Sequence, residues 1–372
     1  MPKKAERLLR LLGAEAARRG LPIYLVGGCV RDWLLGRRTL DLDFAVEGDP
    51  APMALSCGRF LGVEPQAFGQ FGTQRVVSRE LRADFAMTRG ESYPEPASLP
   101  VVKPAALRED LFRRDFTINA MAAPLSERGL GGIIDPYLGI EDLKSRTIRI
   151  LHPASFRDDP TRVFRAARFL CRFSFRPAAG SVELARAALE QGHAARLSRH
   201  RLAQELLRVL EERSPSCALE KLRSWGYLQL IHPRLRWREM PFREAGPRLA
   251  ALALGLGPEE GQALIRSLPI ERALARAILE IVELPRRRAS PQSRLQPWAA
   301  RVLARSCRGI GAGSLRPRFL GGDDLKELGL VPGKAYGEIL EEAARRQWRG
   351  QFKNRGQALR WLAARAKKSK SA

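Results

Sequence analysis

The sequence predicts an α+β fold in two parts, a layer of mixed helices and strands followed by helices alone. Residues 24–46 are typical of a strand, a turn, a helix and a second strand in succession. Further short strand patterns recur as far as Thr147–Leu151, and after Pro153 they disappear. Leu and Ala then recur at helical spacing between breaks at Pro and Gly, which predicts an elongated all-α portion.

Composition indicates a polyanionic partner. The chain has 372 residues and a formal charge of +25, far more than solubility requires. After Glu342 there are basic residues and no acids, a pattern that binds phosphate backbones without reading sequence. Candidate RNA-binding residues in this tail are Arg345, Arg346, Lys353 and Arg355.

Nothing in the sequence points to a membrane or to a disulfide framework. No stretch approaches the roughly 20 apolar residues of a membrane span. The first 19 residues predict an amphipathic helix with mixed charges rather than a signal peptide, so we expect a cytoplasmic protein. The five cysteines are scattered and form no Cys-x-x-Cys pair, which indicates neither a disulfide framework nor a zinc site.

Two acids on the second predicted strand are the candidate catalytic and metal-binding residues. Asp41 and Asp43 flank Leu42, so their side chains point to one face while Leu42 turns into the core. Neighbouring carboxylates repel unless a cation lies between them, and oxygen ligands suit Mg²⁺. Asp84, on a later strand, is either a third acid facing the same metal or a surface carboxylate.

The turn before these acids is a candidate phosphate-binding element. Gly27 and Gly28 allow the backbone to approach a ligand closely, and the helix that follows directs N–H groups at an anion. Arg31 lies on the first turn of that helix. Paired acids opposite a phosphate cradle are the apparatus of nucleotidyl transfer.

Two later segments extend the candidate nucleotide site. Residues 88–105 are too rich in Pro for regular structure, and we interpret them either as a mobile loop beside the site or as a plain surface connection. Residues 109–122 predict a helix that carries Arg113 and Arg114 for a triphosphate and Asp115 and Asn119 near a ribose.

A helix predicted over residues 156–175 carries the candidate residues for recognising the base of the nucleotide, and we call it the base-reading helix. Asp158 before Asp159-Pro160 predicts a helix start with Asp158 as the N-cap. Asp159 and Arg162 then share a face, where they are either a surface ion pair or a mimic of a base edge that accepts C and A and repels U and G. Arg165 and Arg168 continue the basic face toward phosphate or solvent.

These motifs together resemble a known family. GGCVRD and DLD, followed by RRDFTINA, DPYLGIEDL, DDPTR, RLSRHRLAQEL and GDDLKELGL…NRGQAL, are similar to class II tRNA nucleotidyltransferases and bacterial poly(A) polymerases. Two positions depart from the family pattern: Asp158 stands where relatives have Glu, and Arg199-His200 stands where they often have Gly-Glu. The appended His-Asp phosphohydrolase of some relatives has no counterpart in this sequence.

The resemblance implies a polymerase-beta-like nucleotidyltransferase head over residues 1–150. A helical neck (151–213), a body (214–310) and a basic tail (311–372) would follow. It implies that Asp41 and Asp43 bind Mg²⁺, that Gly28, Arg31, Arg114 and Asn119 hold triphosphate and ribose, and that Asp159 and Arg162 pair with the base. The body and tail would bind the acceptor and T arms of tRNA.

The expected activity is template-independent addition of CCA, or of its terminal nucleotides, to the tRNA 3′ end from CTP and ATP. Addition of A alone or of CC alone, poly(A) synthesis and tRNA binding without catalysis are the alternatives. A loop after Asp84 that is not shortened favours the ability to add A. No pattern in the sequence predicts an oligomeric state.

Overall fold

The computed structural model divides into two compact units, Met1–Leu197 with Ser224–Gly226, and Ser198–Arg223 with Tyr227–Ala372. This division is coarser than the four predicted parts, which stay a prediction. The structure describes residues 3–69, 72–237, 242–283, 298–299, 302, 319–330, 333–348, 351–352 and 354–370.

The first unit is the predicted mixed layer with a short set of helices after it. Its helices are α1 (Lys3–Arg19), α2 (Gly28–Leu34), α3 (Ala51–Leu61), α4 (Leu107–Phe112), α5 (Gly139–Lys144), α6 (Ser155–Asp158), α7 (Thr161–Phe173) and α8 (Ser181–Glu190). Its strands are β1 (Ile23–Val26), β2 (Asp41–Val46), β3 (Gln66–Phe68), β4 (Thr73–Val77), β5 (Arg82–Met87), β6 (Arg89–Ser92), β7 (Val101–Pro104), β8 (Ala122–Ser126), β9 (Gly129–Leu130), β10 (Thr147–Ile148) and β11 (Arg176–Pro177). The strand, turn, helix and strand predicted over residues 24–46 are confirmed as β1, α2 and β2.

A seven-stranded mixed sheet organises this unit. The strand order is β3-β4-β5-β2-β1-β8-β9, and β2 pairs with β5 in parallel while its other neighbour, β1, is antiparallel. Across the parallel pair, Phe44 stacks on Phe85 with ring centroids 4.7 Å apart. Both rings are fully buried, and a buried side chain of this size contributes about 1.5–3 kcal/mol. This contact fixes the register of β2 against β5.

Helix α4 covers the side of the sheet that carries the two candidate acids. Leu107 and Leu111 of α4 pack on Val26 of β1 and Ala45 of β2 in one buried cluster. Ala45 lies on the same side of β2 as Asp41 and Asp43, because side chains alternate along a strand. Apolar packing therefore covers one end of β2 and leaves its acidic end exposed.

The Pro-rich segment at residues 88–105 contains regular structure, so the prediction of an irregular loop is wrong in part. Strands β6 and β7 pair antiparallel from Arg89↔Pro104 to Ser92↔Val101. Pro104 is the last residue of β7, where its missing N–H costs little. Residues 93–100, between the two strands, lack strand structure, as do Thr88 and Ala105 at the ends of the segment.

The helix predicted over residues 109–122 is also shorter than expected. Helix α4 ends at Phe112, and a 3₁₀ turn at Thr117–Asn119 follows before β8. Phe116 is extended and bridges Ile150, and Phe116, Ile118 and Met121 are fully buried. Burial of these side chains at non-helical spacing overrides the helical propensity of the segment.

The base-reading helix begins differently from the prediction as well. Asp158 ends α6 rather than capping α7, and Asp159 is extended between the two helices. The Asp159 carboxylate accepts the Thr161 N–H at 3.0 Å and the Thr161 hydroxyl, so it satisfies donors at the start of α7. Pro160 fits the first turn, where no N–H is needed. The prediction of Asp158 as N-cap is therefore wrong, because Pro160 is the residue that directly precedes α7 and Asp159 supplies the acceptor at this end.

Helices make up the second unit. They are α9 (Arg199–Glu211), α10 (Pro215–Ser224), α11 (Ala245–Gly255), α12 (Pro258–Ser267), α13 (Arg272–Glu283), α14 (Gly322–Glu327), α15 (Lys334–Trp348) and α16 (Arg355–Lys370). A strand pattern does persist beyond Pro153 in the first unit, as the two-residue β11 paired with β10. Among the described residues, no helix combines the length and apolarity needed to span a membrane.

The cysteines differ from the expectation that no disulfide is present. Cys171 and Cys217 are each part of a disulfide, whereas Cys29 and Cys57 are free and buried. The cysteine spacing carried no signal of this, because whether a cysteine meets a partner depends on the fold.

We predict that Gly13→Ala destabilises the first unit. A Cβ at this position in α1 would overlap the backbone carbonyl of Ser126 in β8, and backbone cannot move aside as a flexible side chain can. Overpacking of this kind costs about 1–3 kcal/mol. Thermal unfolding measures the loss, with Gly132→Ala as the control because an added Cβ there meets open space. Equal midpoints for the two variants would contradict the predicted contact.

Candidate active site

The two candidate catalytic acids lie side by side at the exposed end of β2. The side chains of Asp41 and Asp43 are both accessible to solvent and point to the same side of the strand. In the parallel register, Asp43 lies opposite Asp84 of β5, and Asp41 lies opposite Arg82. The predicted placement of both acids on one face, with Leu42 buried, is confirmed by the structure.

Asp84 lies next to this pair but is held by two arginines. Arg75 donates to its two oxygens at 2.7 and 2.8 Å, and Arg82 donates at 2.9 Å. Burial alone would raise the pKa of Asp84, but the hydrogen bonds from Arg75 and Arg82 outweigh it and hold the pKa below its ordinary value. These ion pairs favour the interpretation of Asp84 as a structural neighbour of the acids rather than a third metal ligand.

The glycine turn and Arg114 lie next to Asp43. Gly27 has a φ of 75°, and a Cβ there would lie 2.6 Å from Nη1 of Arg114, so this approach requires glycine. The protein around Asp43 displaces part of its hydration and raises its pKa although the side chain still reaches solvent, while the positive charge of Arg114 opposes that rise and the negative charge of Asp84 adds to it. Arg114 is therefore a cation shared by the turn and the acidic pair.

A buried carboxylate that the sequence analysis did not single out holds Arg114 in place. Asp110 is only 1% exposed, and its oxygens accept from Arg114 at 2.8 Å and from Arg113 at 2.7 Å. Burial would raise the pKa of Asp110, but Arg114 and Arg113 outweigh it and lower the pKa. Its spacing of three and four residues from the two arginines is the sequence signal that could have identified it.

Four further predicted nucleotide-binding residues, Arg31, Asn119, Asp115 and Arg165, form one hydrogen-bonded chain. Arg31 donates to Oδ1 of Asn119 at 2.6 Å, and the Asn119 amide donates to Oδ1 of Asp115 at 2.8 Å. Arg165 donates to Oδ2 of Asp115 at 2.7 Å. Burial would raise the pKa of Asp115, but Arg165 and Asn119 outweigh it and lower the pKa. The sequence predicted contacts to a ligand, and the structure adds that these groups orient one another.

The candidate base-reading arginine is buried, and both terminal nitrogens of its guanidinium group donate hydrogen bonds. Arg162 is 4% exposed, and it donates to the Ser155 hydroxyl and to the backbone carbonyl of Arg113, each at 2.7 Å. These two bonds use two of its five N–H donors. Arg168 lies on the same helix, is also buried, and makes interactions of its own.

Two of the four tail residues proposed to bind RNA are described, and both contact acids. Arg346 donates to Glu342 at 3.1 Å, and its guanidinium lies 5.2 Å from the ring centroid of Trp361. Arg355 donates to Asp324, a buried carboxylate that also accepts the Gly321 N–H at 2.7 Å. Lys353 and the side chain of Arg345 lie outside the described residues.

The pair Asp41 and Asp43 suits a metal ion that takes its other ligands from water and substrate. No group of three or more His, Cys, Asp or Glu in the described part of the chain is arranged to hold a metal ion. Two exposed carboxylates suit Mg²⁺, which binds one or two protein carboxylates together with water and substrate phosphates. Asp41 and Asp43 are the residues that could hold it.

Comparisons with known proteins agree with these features. Residues 23–149 match a family model described as the Poly A polymerase head domain. The A-adding tRNA nucleotidyltransferase of Geobacter sulfurreducens is 41% identical over 236 residues, which are 63% of this chain and 27% of that protein. The multifunctional CCA protein of Neisseria gonorrhoeae is 37% identical over 218 residues, which are 57% of this chain and 50% of that protein.

Solved structures are similar over nearly the whole chain. The apo form II of a CCA-adding enzyme has a TM-score of 0.73 at 28% identity, covering 98% of this chain and 96% of that one. The Thermotoga maritima CCA-adding enzyme complexed with tRNA has a TM-score of 0.67 at 27% identity with the same coverage. The chain spans about half or less of the length of the curated relatives that it matches.

The match over residues 23–149 contains the GGCVRD, DLD and RRDFTINA motifs and lies within the head predicted over residues 1–150. The comparisons therefore confirm the resemblance that the sequence predicted: residues 23–149 of this chain match the Poly A polymerase head domain, and the chain is similar to A-adding and CCA-adding tRNA nucleotidyltransferases.

Proposed function

We propose that this protein adds nucleotides to the 3′ end of tRNA without a nucleic-acid template. The observation that carries the proposal is the exposed pair Asp41 and Asp43, with Arg114 close enough to act on the charge of Asp43 and packed against the Gly27 turn. Relatives with the same head are named as enzymes of this kind. A module that only bound RNA would gain nothing from two adjacent carboxylates where phosphate is to lie.

In the proposed reaction, the terminal 3′ hydroxyl attacks the α-phosphorus of the incoming nucleotide and pyrophosphate leaves. Mg²⁺, when bound by Asp41 and Asp43, supplies positive charge to the attacking oxygen and to the leaving pyrophosphate. Arg114 is held by Asp110, so its charge is available to the triphosphate without rearrangement. Arg31 and Asn119 orient each other beside the turn and would contact triphosphate and ribose.

Base selection is proposed for Asp159 and Arg162. A carboxylate can accept from the amino group that both C and A carry, and a guanidinium can donate to the adjacent ring nitrogen. The fixed orientation of Arg162 supports this role, because a donor that reads a base edge must be held in place before the base arrives.

The proposed partner is tRNA, with CTP and ATP as substrates. The charge of +25 supports a polyanionic partner, and one similar solved structure is a complex with tRNA. Addition of A alone is the second candidate, which is favoured because the Geobacter sulfurreducens relative, at 41% identity, is an A-adding enzyme. The Neisseria relative, at 37% identity, favours the complete CCA.

We predict that Asp41→Ala abolishes nucleotide incorporation while tRNA binding survives. The variant loses one of the two carboxylates that hold the metal, but Asp41 is exposed and supports no core contact. Gel-based extension of a tRNA transcript measures incorporation, and a filter-binding titration of the same transcript measures affinity. Glu127→Gln, an exposed acid on another loop, is the control. Unaltered extension by Asp41→Ala would exclude the metal role.

A second prediction separates the candidate activities. Transcripts that end before the first C, after the second C and after the terminal A are each incubated with one nucleotide at a time. Incorporation of CMP and then AMP is expected for a CCA-adding enzyme, and AMP on the CC end alone for an A-adding enzyme. Repeated AMP addition to the intact end would identify a poly(A) polymerase and contradict both CCA addition and the addition of A alone.

A third prediction concerns pH. Asp43 must be ionised to hold a cation, and its pKa is raised, so activity falls as pH falls through that raised pKa. Asp84→Asn removes a neighbouring negative charge that contributes to the rise. We therefore expect this variant to keep nucleotide incorporation. The fall of its rate at acidic pH should occur at a lower pH than in the wild type. A rate–pH profile against wild type checks this, with Glu127→Gln as the control. Complete loss of activity in an Asp84→Asn variant that keeps the wild-type unfolding midpoint would instead favour Asp84 as a metal ligand.

A further inference from the structure

The hairpin formed by β6 and β7 contacts the start of the base-reading helix. Ala97, near the middle of the connection between the two strands, donates its N–H to the carbonyls of Arg157 and Asp158 at 3.3 and 3.2 Å. Those carbonyls lie directly before Asp159 in the chain. A segment more than fifty residues earlier in the sequence is thus in contact with the base-reading helix.

Glu91 on β6 is a carboxylate that accepts hydrogen bonds from three side chains. Its side chain is 7% exposed, and Oε1 accepts from Arg113 at 2.8 Å and from Arg89 at 3.1 Å. The other oxygen accepts from the Tyr93 hydroxyl at 2.9 Å. A buried carboxylate with these donors fixes the arginine it contacts, because charge-assisted hydrogen bonds are about twice as strong as neutral ones.

Arg113 connects Glu91 to Arg162. Its guanidinium contacts Glu91 and Asp110, while its backbone carbonyl, at the end of α4, accepts from Nη2 of Arg162 at 2.7 Å. Ser155 holds the other side of the Arg162 guanidinium. A displacement of Arg113 would therefore change one of the two bonds that orient Arg162.

From this geometry we propose that Glu91 is a specificity-determining positioning residue, which acts through Arg113 to hold Arg162 in the orientation that discriminates between bases. The inference rests on the proposed function, because it assigns Glu91 to the same base-reading site. Glu91 itself does not contact the nucleotide. Its loss lets Arg113 and the carbonyl beside it shift, and Arg162 then accepts bases that it would otherwise reject.

The test is Glu91→Gln, with Glu95→Gln as a matched control on the same hairpin. Glu95 is exposed and pairs with Arg196 at 3.2 Å, so it loses a surface ion pair without touching Arg113. For each protein, kcat/KM is measured with CTP, ATP, UTP and GTP on the same tRNA transcript. The ratio between accepted and rejected nucleotides is the readout. A partly unfolded preparation lowers all four values equally and leaves this ratio unchanged.

The expected result is a loss of discrimination by about tenfold in Glu91→Gln, the scale of one charge-assisted hydrogen bond, and wild-type discrimination in Glu95→Gln. Arg113→Lys keeps a positive charge near Asp110 but cannot keep the forked contacts, and it should reproduce the loss if Glu91→Gln does not fold. Wild-type ratios in the folded variants would overturn the inference while leaving the proposed function intact. A wild-type protein that incorporates no nucleotide would overturn both.

Discussion

The site depends on the buried contact of Asp110 with Arg113 and Arg114. One carboxylate, removed from water, holds two guanidinium groups that point in different directions. Arg114 faces the glycine turn and Asp43, and Arg113 faces the hairpin at Glu91. Loss of one partner of such a buried pair costs about 3–5 kcal/mol, because the other charges remain buried without compensation. Asp110 thus holds both an arginine proposed to contact the triphosphate and an arginine that positions the proposed base-binding residue.

This arrangement keeps the arginines of the proposed site from pairing with the two acids. Nucleotidyl transfer needs negative groups to hold a metal and positive groups to hold a triphosphate within a few ångströms of each other, and such groups attract. In this structure Arg31, Arg114 and Arg165 are each paired with an acid or amide other than Asp41 and Asp43. The proposed catalytic pair is left exposed, and these three arginines are oriented instead by Asp32, Asp110 and Asp115.

The sequence pattern correctly predicted the part of the head in which the hydrophobic periodicity and the turn residues indicate the same secondary structure. The succession of β1, α2 and β2 was correct because apolar runs, Gly27 and Gly28 and the alternation around Leu42 all specify the same structure. The segment at 88–105 was misjudged because Pro suggests an irregular loop, yet Pro104 lies at a strand end. Residues 113–116 follow a helical pattern, but the burial of Phe116, Ile118 and Met121 ends the helix at Phe112.

The sequence by itself determined which residue types are available for the proposed chemistry: two acids on one strand face, a glycine turn before them, arginines after α4, and an excess of positive charge. These follow from alternation and from charge, which are local or additive properties. Only the tertiary structure decided that Asp84 is held by Arg75 and Arg82, that Asp159 rather than Asp158 satisfies the start of α7, and that Glu91 reaches Arg162 through Arg113. Those contacts join residues on different elements, and their partners are set by strand register and helix packing, which no local pattern records.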